Sequence, residues 1–160
     1  MSVELHVLSD RPESDHDPYV IAGYDTRAHS PGLPPRTLRS ARHLAEALFS
    51  TPEGPPPAER LDWLERDLGD FFGHVSLRAR VLFRACIFAV SIFAPLLVAR
   101  LPTLSRLSVE ERVRAVHAFE RTPLSLALLA AKAILSLVYF EHPDAAAEIG
   151  WDQRCMGPPE

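Results

Sequence analysis

Residues 81–99 read VLFRACIFAVSIFAPLLVA, with Arg84 and Ser91 as the only polar side chains. Such a run must lie in a core, in a bilayer or under a partner. Its large aliphatic and aromatic side chains favour membrane insertion by roughly 3–7 kcal/mol, at about 0.3–0.6 kcal/mol each. Arg84 and Pro95 oppose insertion by a similar order, Arg84 the less because it lies near an end. A second apolar run, LSLALLAAKAILSLVYF at 124–140, holds Lys132 near its middle. A central lysine costs about 2.5–3.5 kcal/mol, and a run of this length is at the short limit for a span, so insertion there comes out near zero. Both runs are therefore read as core helices, with peripheral membrane contact kept open for 81–99. Lys132 then needs an acidic partner or an exit to solvent along its aliphatic stem, near an edge of the bundle.

The rest of the chain is organised around these two helices. Residues 1–35 carry prolines at 12, 18, 31, 34 and 35, which prevent a long helix. Val3, Leu5 and Val7 alternate like a short strand, and Tyr19 to Ile21 is another brief β-prone run. This segment reads as an extended arm. From residue 36 the period is helical. Leu38, Ala41, Leu44, Ala45, Leu48 and Phe49 form the stripe of a first helix, which Pro52, Gly54 and Pro55–Pro57 end. A second starts near Ala58 and stops near His74, with Leu61, Leu64, Leu68, Phe71 and Phe72 recurring at helical spacing. The third spans Leu77 to Arg100, with Pro95 expected to kink it. The fourth opens on the capping box Ser108-Val-Glu-Glu111. The fifth has Thr122 as its expected N-cap and Pro123 at the first helical position. It runs to Phe140, and a short turn follows over Asp144–Glu148. The fold expected is all-α: a bundle of four to five helices over 36–160, with an extended N-terminal arm and an irregular C-terminal tail.

Composition narrows the function. The net charge is −4, which argues against a nucleic-acid binder. Cys86 and Cys155 make no disulfide framework, and no Cys/His spacing suggests structural zinc or covalent haem. No phosphate-binding loop, dinucleotide fingerprint or nucleophile elbow occurs. Asp15-His16-Asp17 reads as a solvated loop, His117 as a surface histidine and Cys86 as a small buried hydrophobe. Arg78, Arg80 and Arg84 form a basic set expected to snorkel or to pair with Asp67 and Asp70. No catalytic, cofactor-binding or metal-binding residue is assigned. The N-terminal stretch has no basic region followed by an apolar one, so a cytoplasmic location is expected.

The C-terminal half carries a more specific pattern. LSVEER stands at 107–112, the lysine-containing LLAAKAILSLVYF at 128–140 and HPDAAAEIGWDQRCMGP at 142–158. Together with RTLRSARHLAEALF at 36–49, this resembles the small helical module that accompanies flavoproteins of the glucose–methanol–choline oxidoreductase superfamily. It is similar to the third subunit of gluconate 2-dehydrogenase, and more so to the helical N-terminal region of long-chain fatty alcohol oxidases. The resemblance covers roughly residues 36–158. It implies a non-catalytic accessory subunit that binds a separate large FAD-binding oxidoreductase subunit, with the FAD in that partner and none in this chain. No catalytic residue can be carried over. Apolar surface in excess of what a small bundle hides fits a partner. The expected partner-binding residues are Tyr139, Phe140, Ile149, Gly150, Trp151 and Met156. Trp151 is expected to anchor the tail on the fifth helix or on the flavoprotein, with Gly150 supplying a positive φ. The alternative is a membrane-associated tethering protein, its third and fifth helices forming a shallow apolar hairpin.

Overall fold

A computed structural model describes residues 32–101 and 103–151 of the chain. These residues fold into an all-α bundle: α1 (Pro35–Leu48), α2 (Ala58–His74), α3 (Leu77–Leu97), α4 (Val109–Glu120), α5 (Ser125–Glu141) and α6 (Pro143–Glu148). A 3-10 turn, Leu104–Arg106, joins α3 to α4. The helix count exceeds the expected four to five because the segment after His142 closes a true helical turn. Pro143 presets its first φ, and His142 Nδ1 accepts a hydrogen bond from the Asp144 amide at 3.3 Å.

Local chemistry sets the ends of the helices. Ser76 caps α3, its hydroxyl accepting from the Ala79 amide at 3.3 Å. The Ser108–Glu111 capping box forms in both directions at the start of α4. Thr122 does not cap α5, which begins only at Ser125. Its hydroxyl instead donates to the Phe119 carbonyl at 2.8 Å, closing the end of α4. Pro95 lies in the last turn of α3, and the helix stops at Leu97, short of Arg100. There the Arg100 amide reaches back to the Pro95 carbonyl at 3.0 Å and the Ala99 amide to that of Leu96 at 3.1 Å. Ala99 takes φ +56° to allow this Schellman closure.

α3 packs against α4, α5 and α1, while α2 lies against α1 and α5. The shared core holds Leu44, Leu64, Leu68, Phe72, Ile87, Val90, Phe119, Leu128, Leu135 and Val138, all buried. Each such side chain contributes about 1.5–3 kcal/mol on leaving water. Of the stripes that spacing predicts, Ala41, Leu44, Ala45, Leu61, Leu64, Leu68 and Phe72 are buried, Leu38, Leu48 and Phe71 partly so, and Phe49 packs on the core from just past the end of α1; Cys86 is buried as expected. The segment ahead of α1 is tied to the bundle at Leu33, which is buried, and at Gly32. A Cβ on Gly32 would stand 2.6 Å from the Gly69 carbonyl oxygen, so only glycine allows this crossing over α2. The expected strand at Val3–Val7, the run Tyr19–Ile21, the Asp15-His16-Asp17 loop, Cys155 and Met156 lie outside the described residues.

Candidate functional site

The expected docking residues fall at the corner where α5 turns into α6. Tyr139 faces inward, buried and stacked on Phe49 with ring centroids 4.0 Å apart. It belongs to the core and offers no surface to a partner. Phe140 is partly buried and meets Phe49 edge-on at 5.9 Å. Ile149 and Trp151 are well exposed, at 60% and 49%. Between them Gly150 has φ +75°, the positive value expected of it. The Trp151 amide bonds the Ala146 carbonyl and the Gly150 amide that of Ala147, both at 3.0 Å, which makes a second Schellman turn. Trp151 therefore leaves α6 in a set direction, but it makes no aromatic contact with Tyr139 or Phe140.

Arg60 on α2 fixes this corner from the other side. Its guanidinium forks onto Glu148 at 2.9 and 2.7 Å and donates to the Tyr139 hydroxyl at 3.3 Å. The hydrogen bonds from Arg60 hold the Glu148 carboxyl below its usual range, and Glu148 in turn raises Arg60 further above its own. Trp63, one turn along, meets the His142 ring edge-on at 5.2 Å. Sequence reasoning missed both Arg60 and Trp63. No local signal joins Arg60 to Glu148, since only the packing of α2 on α5 and α6 brings them together.

Apolar surface continues away from the corner. Leu126, Leu129 and Leu137 are exposed on α5. On α3 the exposed set is larger: Leu77, Val81, Leu82, Phe88, Phe93, Leu96 and Leu97. An apolar groove of about 250 Å³ lies where the two helices meet, lined by Ala79, Leu82, Cys86, Ala130 and Ile134 with α2's Phe71. α3 is long and apolar enough to cross a bilayer, yet its inner side is committed to the core. Lys132 is half exposed, its ammonium 3.7 Å from Glu120 at the end of α4. That is the edge placement with an acidic partner that its apolar surroundings required.

Other chemistry is sparse. Among the described residues no group of three or more His, Cys, Asp and Glu side chains is placed to hold a metal ion. His117 is exposed and lies 3.3 Å from Glu120. An open cleft of about 500 Å³ runs along α2 past Trp63, Arg66, Asp67, Asp70 and His74. Arg78 and Arg84 are exposed, and neither forms an ion pair with Asp67, Asp70 or another described acid. No known family model matches the chain, and no curated protein or solved structure shows significant similarity to it.

Proposed function

We propose that this chain is a non-catalytic accessory subunit that binds and stabilises a separate FAD-dependent alcohol or sugar oxidoreductase subunit. One observation carries the reading. Ile149 and Trp151 stand exposed on a corner that the Arg60–Glu148 fork and the Gly150 turn position. A frayed end would have no use for such support. An exposed indole suits a binding anchor, because it buries a large area and still offers one N–H donor. The exposed leucines of α5 extend the same surface. The resemblance of the 36–158 segment to the helical module of glucose–methanol–choline flavoproteins names the partner class.

A gene for a large FAD-binding oxidoreductase beside this one would support the proposal, and co-expression of the two chains tests it. The two chains should co-purify, with flavin in the large chain only. Trp151→Ala should weaken the complex by more than about 2 kcal/mol, the scale of an interface anchor, and leave the helical content unchanged. Undiminished co-purification of the Trp151 variant would remove the anchor role. A yellow isolated chain holding FAD near unit occupancy would overturn the accessory reading.

A further inference from the structure

α3 presents a different chemistry from the α5–α6 corner. Between Phe71 and Val109 the chain has no acidic residue and carries Arg78, Arg80, Arg84, Arg100 and Arg106, within a chain of net charge −4. The outer side of α3 exposes Leu77, Val81, Phe88, Phe93 and Leu97, with Arg78 and Arg84 exposed among them. Mean hydropathy over its most apolar part is 1.9. The inner side, with Phe83, Ile87, Val90 and Ala94, is packed into the core, so the helix can lie on a bilayer but cannot cross one without unfolding the bundle.

A cavity of about 220 Å³ sits beside this face, between α1, α3 and the 3-10 turn. Arg36 and Arg84 line it together with Thr37, Ser40, Ser91, Thr103 and Ser105, and no acid does. Phe88 and Ile92 form its other wall. Phe88 belongs equally to the exposed face, being 65% exposed. Two arginines and several hydroxyl-bearing residues line a space that borders exposed apolar surface. That combination matches a phosphodiester attached to acyl chains.

We propose that the outer face of α3 docks on an anionic membrane surface, with the Arg36–Arg84 cavity taking a phospholipid phosphate. The inference uses α3 and not the α5–α6 corner, so it stands apart from the flavoprotein reading.

The test is flotation of the full-length chain with vesicles of phosphatidylcholine alone, and with vesicles containing about 30 mol % phosphatidylglycerol. Binding should require phosphatidylglycerol and weaken as salt is raised. Arg36→Gln and Arg84→Gln should each lower the partition coefficient about fivefold, the effect of removing one positive charge at the surface. Phe88→Glu should abolish binding. All three side chains are exposed, and unchanged circular dichroism would exclude unfolding as the cause. Equal binding to both vesicle types, or full binding by the arginine variants, would overturn the proposal. So would failure to bind lipid combined with a raised Tm in millimolar inorganic phosphate, which would assign the cavity to free phosphate. A stable dimer that loses its affinity on Phe88→Glu and ignores vesicles would give the face to a second copy instead.

Discussion

Arg112 carries its guanidinium into the seam between α1 and α4, where only 8% of the residue remains exposed. Its Nε donates to the Leu107 carbonyl at 3.0 Å, and its Nη1 pairs with Glu46 of α1. This arrangement governs His43, whose ring lies 3.7 Å from Glu46. Burial first, and then the charge of Arg112, push the His43 imidazole below its ordinary 6.5. Below pH 6.5 the unfolded chain takes up a proton at His43 before the folded chain does. His43's contribution is thus complete above 6.5 and is lost as pH falls through the lower folded value. Urea unfolding across this acid range should show His43→Leu flattening that part of the stability curve. An unchanged slope would mean the ring is solvated. Lys132 is a milder case, since both it and Glu120 are about half exposed. Lys132→Met should change the unfolding free energy by no more than about 0.5 kcal/mol. A loss above about 3 kcal/mol would instead mean that Glu120 had been left buried and unpaired.

At the scale of elements, ends that depend on neighbouring residues were legible and ends that depend on backbone geometry were not. The Ser108–Glu111 box needs only two side chains three positions apart, so its spacing reveals it. Thr122 looks like a cap followed by Pro123, yet its hydroxyl donates to the Phe119 carbonyl and caps no amide of α5. The sequence pattern carries α3 on to Arg100, beyond its end at Leu97, because no glycine marks the stop. Ala99 adopts φ +56°, a conformation that costs an alanine roughly 1–2 kcal/mol. Both Schellman hydrogen bonds and the burial of Leu104 beyond them hold it there. Ala99→Gly should therefore raise stability by about 0.5–1 kcal/mol, the strain relieved less the extra entropy of an unfolded glycine. Thermal unfolding measures it directly. A lower Tm for the glycine variant would mean that α3 ends in some other way.

On the scale of the whole molecule, the bundle has more apolar helix surface than core to receive it. The fold class was readable because period and proline placement declare the helices. The side of α3 that faces inward was not, since both sides are apolar and Arg80, Arg84 and Ser91 mark only one of the two edges between them. The docking corner was half readable: Gly150 and Trp151 stand in a telling order, whereas the burial of Tyr139 depends on Phe49 of α1, distant in sequence. Adjacent residues on α3 now separate the two uses of apolar surface. Ile87 is 2% exposed against the core, and Phe88 is 65% exposed on the outer face. If the outer face serves a partner surface, its removal should not harm folding. Ile87→Ala should cost about 2–5 kcal/mol through lost burial and the cavity it leaves. Phe88→Ser, although it deletes the larger side chain, should stay within about 0.5 kcal/mol of the parent chain. Binding of an apolar fluorescent dye should fall in the Phe88 variant, because the exposed patch shrinks while the fold persists. A loss of 2 kcal/mol or more on Phe88→Ser would place the outer face of α3 inside the folding core, and a surface kept for docking would no longer be needed to account for it.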